Sequence, residues 1–249
     1  MSRVGCLEFL SSIDLAEAPE TLGRRLRRED TRLHRVYLSE RKRLRTLCAT
    51  ERKLWESGCR LVAGADEVGR GPLAGPLVAA AVTFQAAPWI PWLKDSKQLQ
   101  AEEREQLVAW VKAQAVSIAL AVIDVEDINR GNLHVLSLEA LKRAAMGLEI
   151  RPDHVLIDGR FPVQLEWPQT HIVGGDRKCA SIAAASIVAK VARDRMMIEL
   201  DRVYPGYEFA RHKGYATAEH CEALRRLGPC PIHRMTFAPV RDSLQGRLF

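Results

Sequence analysis

The chain reads as an α/β protein with a mixed sheet flanked by helices, and three observations carry that expectation. The apolar residues Leu61, Val62 and Ala63 and the apolar run Leu77–Phe84 stand on either side of a glycine-rich turn, as adjacent strands would. After them, short apolar strands alternate with segments of helical spacing, which is the pattern of layered α/β and α+β domains. An apolar share of 47% over 249 residues is enough for a real core, in one large domain or one domain plus an appendage.

Residues 1 to 29 hold short amphipathic pieces, with Pro19 opening Glu20–Arg28. Asp30–Trp55 is charge-rich, with apolar residues at Leu33, Val36, Tyr37, Leu44, Leu47 and Leu54. That spacing predicts one or two helices, stopped at Gly58. Strands follow over about 61–66 and 77–84, then an irregular link at Pro88-Trp89-Ile90-Pro91. A helix is expected from Ala101 to about Ala115, its start rich in glutamate as the helix dipole prefers. Ser117–Val125 reads as a strand and 133–148 as a helix, from the spacing of Leu133, Leu136, Leu141, Ala144 and Leu148. His154–Asp158 is a short buried strand ending on an acid, and Thr170–Val173 is another, turning at Gly174-Gly175 onto Asp176. Ala180–Leu200 is a long helix whose first half is small and apolar, hence closely packed. Ala216–Leu227 is a last helix, ended by Gly228-Pro229. The expected division is a basic helical N-terminal extension at 1–57, a main domain at 58–240 and a flexible tail at 241–249.

Composition narrows the function classes. No stretch approaches the roughly 18 to 20 uninterrupted apolar residues of a membrane span, and Glu8 and Asp14 break up the apolar patch that a secretory signal would need. Six cysteines without a CxxC pair argue against a zinc site and a disulfide framework, and fit free thiols in a reducing cytoplasm. No membrane partner is expected, and the chain is read as a monomer. The net charge of +6 is uneven, with 14 Lys+Arg against 9 Asp+Glu in residues 1–60. A near-neutral body with a basic arm fits a polyanion partner. For Arg24–Arg28 and Arg41–Arg45 a solvated helical face fits equally well.

The segment Gly64-Ala65-Asp66-Glu67-Val68-Gly69-Arg70-Gly71-Pro72-Leu73-Ala74-Gly75-Pro76 carries the chemistry. Two carboxylates at a strand end suit hard divalent cations, which prefer oxygen ligands. Glycines around one arginine suit the close approach of a phosphate to backbone N–H groups. Taken by residue type alone, an Asp-Glu pair before a glycine turn is also common surface chemistry. Four acids fall at strand ends or turns: Asp66, Glu67, Asp158 and Asp176. Strand ends at one edge of an α/β sheet are where ligands bind, and two-metal phosphodiester hydrolysis needs several converging carboxylates. Neighbours on a regular strand point to opposite faces. Glu67 is therefore expected past the strand end, where Gly69 lets the chain turn; the alternative is that its backbone carbonyl serves.

The string DEVGRGPLAGP resembles the signature of bacterial ribonuclease HII, the type 2 ribonuclease H. Further segments match in the same order: Leu156-Ile157-Asp158-Gly159, Gly174-Gly175-Asp176 through Ser181–Lys190, and Arg211-His212-Lys213-Gly214-Tyr215-Ala216-Thr217. The resemblance covers roughly Tyr37 to Val240 and implies the ribonuclease H-like fold. It implies an endonuclease that hydrolyses the RNA strand of RNA/DNA hybrids and cuts at ribonucleotides embedded in duplex DNA, leaving 3′-hydroxyl and 5′-phosphate ends. Mg²⁺ or Mn²⁺ would be held by Asp66, Glu67, Asp158 and Asp176. Where the family often has a lysine before the Gly-Asp pair, this chain has Gly174.

Such an enzyme must sense a 2′-hydroxyl. The resemblance assigns that role to Tyr215, beside Gly69, Arg70 and Gly71 on the sugar-phosphate backbone; Tyr207 is the rival, better read as a core residue. Asp95-Ser96-Lys97 also matches a family motif, with Lys97 a phosphate contact. Asn132 either caps a helix or touches the backbone, and His212 reads as a phosphate contact. Asp194, among Arg193 and Arg195, competes with Asp176 but reads as an ion-pair residue. His233-Arg234-Met235-Thr236-Phe237 resembles the family's structural closing element. The last residues, Gln245-Gly246-Arg247-Leu248-Phe249, resemble the Gln-x-x-Leu-Phe peptide that docks on the sliding clamp, with Gln245, Leu248 and Phe249 as anchors. The rival reading is a catalytically silent nucleic-acid-binding module on the same fold.

Overall fold

The computed structural model describes residues 18–94, 96 and 99–244. Three helices come first, α1 (Pro19–Glu29), α2 (Thr31–Leu47) and α3 (Ala49–Glu56). Asp30 separates the first two: its carboxylate accepts from the N–H groups of Arg32 and Leu33 at 2.8 and 3.0 Å, an N-cap that starts α2 afresh. The central sheet follows as β1 (Val62–Val68), β2 (Leu77–Phe84), β3 (Ser117–Ile123), β4 (His154–Asp158) and β5 (Gln169–Ile172). Its spatial order is β3-β2-β1-β4-β5. The β1–β2 and β2–β3 pairs are antiparallel, while β1–β4 and β4–β5 are parallel. This is the mixed sheet expected from strands that first meander and then alternate with helices.

Helix α4 (Ala101–Gln114) begins where the Glu103 carboxylate accepts from the Gln100 N–H at 2.7 Å. Between β3 and β4 lie α5 (Val125–Arg130) and α6 (Leu133–Met146). After the 3₁₀ turn Gly175–Arg177 come α7 (Ala180–Val203), α8 (Phe209–His212), α9 (Ala218–Leu227) and α10 (Ala238–Leu244). Helices α5, α8 and α10 are additions to the sequence reading, each too short for a periodic pattern to form. The tail boundary expected at 241 falls inside α10.

The sheet has two covered faces. Helix α6 packs through Ala140, Leu141, Ala144 and Ala145 against Ala63, Ala65, Ala79 and Ala81. Helix α7 packs on the opposite face through Ala180–Ala185 and Ile187, beside Val78, Ala80 and Val82. Its small first half fits the tight approach expected for it. A Cβ on Gly64 would lie 2.2 Å from the backbone carbon of Ser181, so only glycine lets α7 lie this close to β1.

The N-terminal helices belong to this body rather than to a detached arm. Leu22, Leu26, Tyr37 and Leu44 are buried in the same core as α7 and β2. Buried Glu51 of α3 accepts from both the N–H and the hydroxyl of Ser181, at 2.9 and 2.8 Å, and so caps the start of α7. The extension expected at 1–57 is thus, over its described part, a wall of the main domain.

Candidate active site

The sheet end formed by β1 and β4 opens into a cavity of about 340 Å³. Asp66, Glu67, Asp158 and Asp176 all line it, with Gly69, Arg70, Gly71 and Tyr215. The strand register explains the convergence. The parallel ladder between β1 and β4 ends at the Ala65–Ile157 pair, so Asp158 comes next on β4 and Asp66 and Glu67 run on past the ladder. The carboxylates therefore stand where the sheet stops covering itself.

Glu67 departs from expectation. It lies within β1, opposite Ala79 on β2, not past the strand end. Alternation along the strand is preserved: Asp66 meets Ser186 of α7 on one face, while Glu67 accepts from Ser137 of α6 at 2.8 Å on the other. Both still reach the cavity because it wraps the open end of the sheet. Arg70 comes to 3.4 Å of the same Glu67 oxygen. Asp158 accepts from the Gly175 N–H at 2.6 Å, which ties β4 to the turn carrying Asp176. At Gly174, which stands where the resembled family often has a lysine, φ is +65°, and the Arg177 guanidinium lies 3.0 Å from the place a Cβ would occupy. A cation thus stands at that position from three residues further along.

Burial, then repulsion from Glu67 and Asp158, pushes the Asp66 carboxyl well above the ordinary carboxylate range. Burial also raises Glu67, against the pull of Ser137 and Arg70. Carboxyl groups crowded out of water are relieved by a cation in their midst. The acids lining this cavity offer oxygen alone, without His or Cys, which suits a hard divalent ion. Among the described residues no three His, Cys, Asp or Glu side chains stand ready-grouped around one point.

Two buried arginines, unread as such in the sequence, hold the glycine-rich loop. Arg234 donates to the carbonyls of Gly69, Arg70 and Gly75, and Arg193 to those of Ala74, Pro76 and Lys213. Gly69 has φ +98°, and a Cβ there would lie 2.5 Å from Arg193 Nε. Gly71 differs, since a Cβ there would meet only Tyr215, at 4.0 Å. The loop backbone and the Tyr215 ring face each other across open space. Tyr215 is 38% exposed, with Lys190 Nζ at 5.7 Å and Arg193 Cζ at 6.0 Å from its ring centre. Behind it, buried His220 bonds the Tyr215 carbonyl at 2.9 Å and His233 at 3.0 Å. Burial takes both histidines down to a pKa of about 4, so this anchor is neutral at physiological pH.

The rivals separate cleanly. The Tyr207 hydroxyl donates to the Gly228 carbonyl at 2.6 Å and its ring is buried, as its core reading requires. Asp194 pairs with Lys190 and Arg104 rather than with its sequence neighbours Arg193 and Arg195. His212 is a correction: it is buried, bonded to the Tyr207 carbonyl and the Gly214 N–H, and offers no phosphate contact. Asn132 caps α6, accepting from the His134 N–H at 2.9 Å, and lies outside the residues that line the cavity. Lys97 and the tail anchors Gln245, Leu248 and Phe249 lie outside the described residues. Ser137, which holds Glu67, carried no sequence signal, and Ser186, which meets Asp66, lay within the matching segment Ser181–Lys190 without a role assigned to it.

Residues 63–240 match the family model described as Ribonuclease HII. A Ribonuclease HII of Anaeromyxobacter sp. is 50% identical over 216 residues, covering 85% of this chain and 69% of that protein. One of Geobacillus kaustophilus is 44% identical over 232 residues, with 93% and 87% covered. Among solved structures, the ribonuclease H2 of Pyrococcus horikoshii is similar with a TM-score of 0.65 at 26% identity, covering 75% of this chain and 98% of that one.

Proposed function

Because the chain belongs to the ribonuclease HII family, we propose that it is the endonuclease that hydrolyses the RNA strand of RNA/DNA hybrids and cuts at ribonucleotides embedded in duplex DNA. The single observation supporting this most is that four carboxylates share one cavity with a glycine-arginine-glycine loop and a facing tyrosine. A silent binding module has no use for two buried carboxyl groups held at raised pKa, which cost stability.

The family is divalent-metal dependent, and Asp66, Glu67, Asp158 and Asp176 would hold Mg²⁺ or Mn²⁺ here. Bound there, the metal supplies positive charge at the scissile phosphate and lowers the pKa of an attacking water. The chain's own groups do the positioning. Ser137 fixes Glu67, and the Gly175 N–H fixes Asp158. Gly69 and Gly71 admit the sugar-phosphate backbone, and the half-exposed Arg70 guanidinium supplies charge to a phosphate oxygen. Tyr215, across the gap from Gly71, stacks on the sugar and offers its hydroxyl to the ribose 2′-OH. Scission releases a 3′-hydroxyl and a 5′-phosphate.

The test is a duplex carrying one ribonucleotide, incubated with and without EDTA. Cleavage at the ribonucleotide in Mg²⁺ or Mn²⁺ and none in EDTA is expected, with an all-DNA duplex untouched. Binding without cutting in any metal would establish the silent module instead. Tyr215→Phe is expected to slow cleavage at a single ribonucleotide about tenfold or more, roughly the 1–3 kcal/mol of one buried hydrogen bond, with an unchanged melting temperature. Cleavage at the single ribonucleotide within twofold of wild type would remove Tyr215 from that role.

No described helix is long and apolar enough to cross a membrane. The five described cysteines are free thiols, which fits the reducing cytoplasm, and the chain is proposed to act as a monomer. Gln245, Leu248 and Phe249 would dock on the sliding clamp. With Gly246 adding no side chain, affinity should be micromolar, about 8 kcal/mol. Deleting Leu248 and Phe249 should abolish clamp binding in a titration and leave cleavage of a short duplex untouched. Absence of binding by the full chain at high micromolar concentration would overturn it.

A further inference from the structure

Beside the catalytic cavity lies a larger groove of about 980 Å³, between α2 and the turn at 174–178. Asp176 lines both, so groove and cavity share a wall at that residue. Its walls carry Lys42, Arg43, Lys94, Arg177 and Lys178 against two acids, Glu40 and Asp176. Glu40 is committed inward: its carboxylate holds Arg43 from both oxygens and accepts from the Trp92 N–H at 2.9 Å. Arg43 also donates to the Leu93 carbonyl at 2.8 Å, so α2 is clamped to the 92–94 segment. Trp92 sits in this clamp at φ +61°, a conformation that bulky residues rarely keep without a surrounding structure to impose it. Lys42 and Lys94 have no carboxylate partner among the described residues.

We propose that this groove is a binding track for the sugar-phosphate backbone of the substrate flanking the cut. Two lysines without a carboxylate partner among the described residues, on a wall held by the Glu40–Arg43 clamp, supply charge where the phosphates of a nucleic acid strand would run. The proposal rests on the nuclease reading and gives the N-terminal helices, whose described part is packed into the core, a second role. Lys42 and Lys94 would meet phosphates flanking the one that Asp66 and Asp158 address.

The experiment measures affinity for an RNA/DNA hybrid by fluorescence anisotropy in EDTA over a range of salt, with steady-state cleavage in Mg²⁺ alongside. Three proteins are compared: the wild type, Lys42→Gln with Lys94→Gln, and Lys53→Gln with Lys112→Gln, which neutralises the same charge outside groove and cavity. Each lost phosphate contact flattens the dependence of log affinity on log salt by about 0.9 for a B-DNA-like duplex. The groove variant should therefore lose about two units of slope, bind at least tenfold more weakly and show a raised KM with kcat within a few-fold. The Lys53/Lys112 variant should match the wild type. Trimming the hybrid on one side of the cut should erase the difference between the groove variant and the wild type, and trimming the other side should not. An unchanged slope, or equal losses in both double variants, overturns the track. Failure of the nuclease reading shows separately, as absence of cleavage by the wild type.

Discussion

Replacing Asp66 with Asn lowers the cleavage rate by about 10³-fold or more, because the several kcal/mol that a correctly held metal contributes correspond to one power of ten per 1.36 kcal/mol. The same variant should be more stable than the wild type in EDTA. Asp66 is buried and repelled by Glu67 and Asp158, and its folded pKa lies well above its unfolded value. A carboxyl raised in this way favours the folded state at low pH and ceases to do so as pH climbs from the unfolded value, about 3.9, through the raised folded one. The stability gain of Asp66→Asn should thus be absent near pH 3.5 and grow as pH rises to neutrality. Melting curves in EDTA across that range, beside turnover in Mg²⁺, check both halves. Turnover within a few-fold of wild type would remove Asp66 from the site. A lower melting temperature at neutral pH would show that the carboxylate is stabilising, against the electrostatics described.

Arg234→Met should cost about 3–5 kcal/mol, since it leaves buried carbonyls unpaired at about 1–3 kcal/mol each, partly offset by relief of a buried charge. Arg234 is fully buried, and burial lowers its pKa to about 9, so it remains charged at neutral pH. Its guanidinium reaches Gly69, Arg70 and Gly75 at 2.5 to 3.1 Å, with 164 or so residues of chain between it and the loop it holds. For a protein of this size the loss corresponds to a melting temperature lower by about 10 °C or more. Arg234→Lys, a single donor group with no planar fork, should fall between. A shift below about 2 °C for Arg234→Met would mean that the loop keeps its shape without this clamp.

The acids, the glycine-arginine-glycine loop and Tyr215 were legible in the chain because each lies in a short contiguous segment whose residue types carry their chemistry locally. The strands were legible for the same kind of reason: Leu77–Phe84 is apolar throughout because helices cover both faces of β2. Asp194 shows the limit of local reading, since its partners are one helical turn back and on another helix, not beside it. His212 had a polar side chain of the right type for a phosphate contact, but it is buried and its hydrogen bonds went to the Tyr207 carbonyl and the Gly214 N–H.

The sequence by itself determined which residues are available for metal, phosphate and ribose, and in what order the strands and longer helices run. Tertiary structure alone decided that Asp66 and Glu67 meet one cavity from opposite faces of the sheet, because that depends on where the β1–β4 ladder ends. It also decided that the basic N-terminal helices form a wall of the domain and a groove beside Asp176. Charge spacing along a helix is the same for a solvated arm and a packed one. What distinguishes them is whether Leu22, Tyr37 and Leu44 find a partner surface, and that surface belongs to elements far away in the chain.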